Sequence, residues 1–105
     1  MSEPTLTVTF MNGPADGRQA TLKGPSVTIG HGRHNDLVID FDARVAETHL
    51  EIVHQDGRWH LIDRSCEASI LLNRQPLHRG DTLTAGAYIA LGDTLLRFEF
   101  DQQET

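Results

Sequence analysis

The stretch that decides the fold is "VTIGHGRHNDLVID", Val27 to Asp40. Val27 and Ile29 alternate with Thr28, the two-residue period of a strand with one buried face. Gly30 ends the alternation, and Leu37 to Ile39 resumes an apolar run. Between them lie His31, Arg33, His34 and the pair Asn35-Asp36. Two short strands joined by a loop dense in hydrogen-bonding side chains describe a β protein with a candidate binding site at a strand end.

The same period runs outward in both directions. Leu6, Val8 and Phe10 alternate with Thr5, Thr7 and Thr9. A turn-rich connection through Asn12-Gly13-Pro14 and Asp16-Gly17 leads to a short strand over Gln19 to Leu22, stopped by Gly24-Pro25. The next strand is Ser26 to Ile29. Beyond the quoted stretch, Thr48 to His54 places Leu50 and Ile52 on one face and Glu51 on the other. Asp56-Gly57 tolerates positive φ at both positions and predicts a tight hairpin into Arg58 to Asp63, with Trp59 and Leu61 inward. Ile70 to Leu72, a turn at Asn73-Arg74, another at Arg79-Gly80-Asp81, then Ala87 to Ala90 and Leu95 to Phe100 complete the pattern. Leu96, Phe98 and Phe100 are assigned to the core. No window carries a convincing amphipathic helix. Many short strands punctuated by Gly, Asn and Asp predict an all-β sandwich. The loops at His31 to Asp36, Phe41 to Glu47 and Arg64 to Ser69 are where function is expected.

Bulk composition narrows the partners. The 105 residues fit one domain with one core, expected over about residues 6–100, with residues 1–5 and 101–105 as flexible ends. Net charge is -6, and Lys23 is the lone lysine. That excess of acid disfavours nucleic acid and anionic membrane surfaces as partners. Cys66 is the lone cysteine, so no intramolecular disulfide forms and a cysteine-based metal site is not expected. No stretch resembles a signal peptide or a membrane span, so a soluble, cytoplasmic chain is expected.

The chemistry-bearing residues do not compose an enzyme. His31 and His34, with His49 further on, lack the further ligand pair that a zinc site needs, so no metal and no cofactor are expected. Ser65 and Cys66 sit near His60 in sequence, but no nucleophile-elbow pattern surrounds them. Nor does a glycine-rich loop lead into a helix that could cradle phosphate. The expectation is a binding protein, not a catalyst.

In order and spacing the chain resembles the forkhead-associated (FHA) domain family, from about Leu6 to Phe100. "VTIGHGRHNDLVID" is similar to that family's Ile-Gly-Arg, then Asn-Asp, then an apolar strand. "VAETHLEI", Val45 to Ile52, is similar to its Val-Ser-Arg-x-His-Ala-x-Ile. "LIDRSCEASILLNRQPLHRGDTLTAGAYIALGDTLLRFEF" is similar to its Asp-Leu-x-Ser-x-Asn-Gly-Thr-x-Val-Asn-Gly, followed by Gly-Asp and Ile-x-Leu-Gly. The resemblance implies a β-sandwich of about eleven mostly antiparallel strands. It also implies loops at one end that read phosphothreonine with an arginine, a serine and an asparagine.

At those three places this sequence departs. His31 stands at the arginine position, Ala46 at the serine, and Ala68 at the asparagine, with Ser69 in place of the following glycine. Glu47 stands where the family often has arginine. Alanine has no side-chain donor, and glutamate repels an anion. Histidine, with an ordinary pKa of about 6.5, carries little of arginine's charge at neutral pH. Gly30, Asn35, Asp36 and His49 match the family as structural residues, Gly30 being assigned to permit the turn. Asp63, Gly80 and Gly92 are assigned to architecture.

The expectation is a degenerate FHA-like module that binds another protein without phosphorylation. The pattern Val45-Ala46, then His49-Leu50, is similar to the cytoplasmic domain of type III secretion inner-membrane ring proteins, and a bacterial secretion or signalling scaffold is the first expectation. The candidate binding set at the loop tips is His31, Arg33, His34, Arg44, Glu47, Arg64 and Glu67. Two other readings stay open. One is a phosphothreonine reader whose anion site is rebuilt from Arg33 and Arg44. The other is a self-associating structural module that uses a sheet face or edge.

Overall fold

A computed structural model of the chain describes residues 3–65 and 69–101. Among them eleven strands follow in order: β1 (Thr5–Phe10), β2 (Gln19–Lys23), β3 (Ser26–Gly30), β4 (Leu37–Val38), β5 (Leu50–Gln55), β6 (Arg58–Asp63), β7 (Ile70–Leu72), β8 (Gln75–Pro76), β9 (Thr82–Leu83), β10 (Ala87–Leu91) and β11 (Thr94–Glu99). They form two sheets, β2-β1-β11-β10-β7-β8 and β4-β3-β5-β6-β9. Every pairing is antiparallel except β3 with β4, which run parallel with Ile29 opposite Leu37. The expected all-β sandwich is the observed architecture.

Alternation explains the core. Leu6, Val8 and Phe10 of β1, Leu96 and Phe98 of β11, and Ile89 and Leu91 of β10 turn inward from the larger sheet. Val27, Ile29, Leu50, Ile52, Trp59 and Leu61 meet them from the smaller one. Phe100 lies beyond the end of β11 and is only partly buried, tilted against Trp59 at 6.3 Å between ring centroids. Thr5, expected in the flexible N-terminal segment, already opens β1, where it pairs with Lys23.

Turn chemistry sets the register. Asp56 and Gly57 both adopt positive φ, 56° and 76°, and join β5 to β6 as the hairpin predicted. Asn73 and Arg74 do the same at 50° and 72° between β7 and β8. A short 3-10 turn, Gly13–Ala15, lies between β1 and β2. β5 begins at Leu50, not Thr48, because Thr48 and His49 belong to the loop. The two-residue strands β8 and β9 carry no period a sequence can display, and they were not anticipated.

Candidate functional site

The loop after β3 and the loop before β5 are bound into one unit. The His31 N–H donates to the Ala46 carbonyl at 2.9 Å and the Gly32 N–H to the Glu47 carbonyl at 3.0 Å. Asn35 is buried beneath them, and its Nδ2 donates to the carbonyls of Gly32, at 2.8 Å, and Glu47, at 2.6 Å. Asp36 accepts the Thr28 N–H at 2.8 Å, which holds the returning chain against β3.

Gly30 makes this approach possible by a route other than the one expected. Its φ is not in the left-handed region, and it is the last residue of β3. A Cβ there would collide with the Glu47 carbonyl oxygen and lie 2.8 Å from Thr48 Cα. The glycine is required by a backbone that crosses it, not by a turn.

His49 braces the next layer. It is fully buried. Its N–H donates to the Ile29 carbonyl at 2.9 Å, its carbonyl accepts the Arg64 N–H at 3.0 Å, and its Nδ1 accepts the Ala46 N–H at 3.0 Å. Accepting through Nδ1 puts the proton of the neutral ring on Nε2. That atom is buried without a well-aligned partner among the described residues. Burial pushes the ring's pKa down, and the nearby Ser69 backbone and the charges of Asp63 and Asp42 pull it partly back.

Asp42 ties this end to the far sheet. It lies in the loop Phe41 to Glu47, where function is expected, and it is buried. Its carboxylate accepts the Thr94 hydroxyl at 2.6 Å, the Asp93 N–H at 2.8 Å and the Arg44 N–H at 3.0 Å. Burial alone would raise its pKa. Those three donors, with the Arg44 charge, outweigh burial and lower it. Gly92, at φ 57°, fits against the knot, where a Cβ would fall 3.0 Å from the Arg44 Cβ.

The structure sorts the candidate binding residues into three groups. His31, Arg33, His34 and Glu47 share one exposed rim on the joined loops, where His34 Nε2 lies 2.7 Å from the Thr48 hydroxyl. Arg44 leans away to the turn between β10 and β11, its Nε 3.6 Å from Asp93. Arg64 turns onto the outer face of the smaller sheet, giving two N–H bonds to one Glu51 oxygen at 2.9 and 2.6 Å. Ser26 bonds the other Glu51 oxygen at 2.7 Å, and these hydroxyl and arginine bonds lower the Glu51 pKa against its partial burial. Glu67, Cys66 and Ala68 lie outside the described residues.

Sequence reasoning did not find the Asp42 knot or the Ser26–Glu51–Arg64 chain. The Asp42-x-Arg44 spacing suits a carboxylate that caps an N–H two residues on. Thr94 is 52 positions away, and nothing local points to it. No three His, Cys, Asp or Glu side chains converge as a metal set among the described residues, and no helix is long and apolar enough to cross a membrane.

Comparison with known proteins agrees with this fold. The family model described as the cytoplasmic domain of the inner membrane component of the type III secretion system (T3SS) matches residues 9–102. An FHA domain-containing protein of Arabidopsis thaliana is 29% identical over 111 residues, covering 96% of this chain and 28% of that protein. The chain thus spans little more than a quarter of that relative. The solution structure of the FHA domain of an Arabidopsis thaliana hypothetical protein is 29% identical, with a TM-score of 0.83, over 100% of this chain and 92% of that one. The cytoplasmic domain of the T3SS sorting platform protein PscD from P. aeruginosa is 22% identical, with a TM-score of 0.78, over 99% of this chain and 84% of that one. At that identity the likeness is one of fold.

Proposed function

This chain belongs to the family of cytoplasmic domains of the T3SS inner membrane component, built on the FHA fold of protein-interaction modules, and on that premise we propose that it binds its partner without phosphorylation, as a non-catalytic scaffold in a bacterial secretion or signalling assembly of the cytoplasm. The observation that carries this reading is where the arginines go. A phosphate bears about -1.5 to -2 charge and needs positioned cationic and hydrogen-bonding partners. His31 and Ala46 occupy the positions where the resembling family supplies arginine and serine. Arg44, which with Arg33 could rebuild an anion site, has its Nε 3.6 Å from Asp93, and Arg64 is bonded to Glu51. A positioned charged partner is worth on the order of 2–5 kcal/mol, and Arg33 alone on this rim does not replace one. Within this reading His31, Arg33, His34 and Glu47 form one contact rim, with Arg44 and Arg64 at its margins.

The test is a titration of the labelled protein with a degenerate phosphothreonine peptide library and its unphosphorylated counterpart, followed by NMR. Equal, small responses to both are expected. Shifts over residues 30–35 and 44–49 with the phosphorylated library alone, abolished in Arg33→Ala, would overturn the proposal in favour of a relocated anion site.

A further inference from the structure

Two hairpins of this chain turn through a pair of residues at positive φ, and they differ at the second of the pair. Gly57 fills that place between β5 and β6, at 76°, and glycine is what such a turn favours. Arg74 fills it between β7 and β8, at 72°, where Leu72 pairs with Gln75 across the turn. Asp56, Asn73 and Arg74 are the non-glycine residues with positive φ among those described. Asp and Asn tolerate that region, while a long side chain is strained there. A cation is thus kept where glycine would relax the backbone. Strain held at an exposed position, against so simple a relief, points to a side chain used for contact.

The neighbours of Arg74 define the contact. Arg74 is exposed, and its side chain has no hydrogen bond or ion pair among the described residues. Asn73, beside it, is bonded twice to Tyr88. Its N–H donates to the Tyr88 carbonyl at 2.8 Å, and its Oδ1 accepts the Tyr88 N–H at 2.9 Å. Tyr88 is 38% exposed on the outer face of the larger sheet. Arg97 stands opposite it on β11, with its guanidinium 6.0 Å from the ring centroid and 2.6 Å from Glu99. β7 starts with Ile70 opposite Leu91, next to the β10–β11 turn, so its hairpin tip lies away from the loop rim.

We propose that Arg74, Tyr88 and Arg97 form a second contact site, which takes an acidic segment of a partner protein by a carboxylate. The inference rests on the reading of the chain as an interaction module. Charge selects the occupant. Two arginines against the one carboxylate of Glu99 make a cationic spot on a chain whose net charge is -6. A basic segment is repelled there and an acidic one is drawn in. Arg74 offers a free planar fork that a carboxylate matches with two parallel bonds. Arg97, held by Glu99, backs the tyrosine ring. Tyrosine and arginine are the residues on which protein contacts most often depend. A phosphate, at about -1.5 to -2 charge, wants more positioned donors than one free guanidinium supplies.

The full chain is titrated with an unphosphorylated degenerate peptide library built on a Glu-Glu pair, followed by amide shifts. The matched Gln-Gln library and a phosphothreonine library are titrated in parallel. Shifts at residues 73–75, 88 and 97 are expected with the glutamate library and not with the glutamine one. Arg74→Gly is expected to bind about tenfold more weakly or worse, while keeping or raising its urea midpoint because the strain is gone. Tyr88→Thr, which keeps a strand-forming residue, should weaken the same binding, and Arg33→Ala should leave it unchanged. Equal binding of the glutamate and glutamine libraries, wild-type affinity in Arg74→Gly, or the absence of shifts at the hairpin overturns the proposal. So does a lowered urea midpoint in Arg74→Gly, which would make the arginine a part of the fold. Hairpin shifts with the phosphothreonine library alone overturn it too, in favour of a phosphate site. A response to that library over residues 30–35 overturns the function proposed above and leaves this site standing, so the two failures are distinguishable.

Discussion

Asp42 and Glu47 belong to the same connection between β4 and β5 and serve opposite ends. Asp42 is buried with three donors on its carboxylate. Glu47 is exposed, and its backbone carbonyl is the part that the fold uses. The contrast holds for the layers they represent. Beneath the loops, Gly30, Asn35, Asp42 and His49 fix backbone to backbone through buried polar contacts. Above them, His31, Arg33, His34 and Glu47 stand exposed. The bracing layer makes the buried contacts that hold the two loops together. That difference shows how the FHA architecture is held by buried contacts beneath the loops and not by the exposed side chains above them.

The bracing layer should break first. Gly30→Ala forces a Cβ into the Glu47 backbone, which has no flexible end to move aside. A loss of about 3 kcal/mol is expected in urea unfolding, at the top of the overpacking range. Wild-type stability in that variant would mean that the two loops do not cross so closely. Asp42→Ala should follow, with a loss of about 2 kcal/mol, because the Thr94 hydroxyl and two N–H groups lose their acceptor. Hydrogen exchange should then rise at Asp93 and Arg44 before it rises in the sheets.

Proton linkage gives a smaller and more selective effect. Burial holds the His49 pKa below its ordinary value of 6.5. The unfolded chain therefore takes up its proton first. The His49 contribution is complete above pH 6.5 and declines as pH falls below it, until the folded ring itself protonates. An NMR titration should find this ring less protonated than free histidine at the same pH. A ring that titrates at or above the ordinary value would contradict its place in the bracing layer. Asp42 and Glu51, both lowered, have the same sign at more acid pH, since their contributions are present above the ordinary carboxylate range and lost beneath it.

The rim should respond least. His31→Ala and Arg33→Ala are expected to change stability by no more than about 0.5 kcal/mol, as exposed substitutions do. A larger loss in the urea midpoint would place these side chains in the brace and erase the distinction between the layers.

Legibility in the sequence followed the same division. The long strands were readable because alternation is local: Arg58 to Asp63 and Ile70 to Leu72 have the predicted bounds. Asp56-Gly57 was readable because two adjacent residues determine the turn. Gly30 was singled out correctly but explained wrongly, since the backbone that crosses it comes from Glu47, far along the chain. The role of Asp42 is not legible in the sequence, because its chief partner, Thr94, lies on β11. Arg44 and Arg64 could be numbered but not aimed, and only the fold shows that they turn toward Asp93 and Glu51.

The sheet margins have one more consequence. Among the described residues, β8 bounds the larger sheet, and β4 and β9 bound the smaller one, each with only two residues. Pro76 on β8 has no N–H to offer a foreign strand. Ribbons this short make poor templates for intermolecular pairing. That leaves β2, Gln19–Lys23, as the one long margin, and the chain's lone lysine stands exposed at its end. Lys23 therefore puts a charge on the longest open edge, the kind of residue that discourages addition of a foreign strand, and Lys23→Val is expected to raise aggregation.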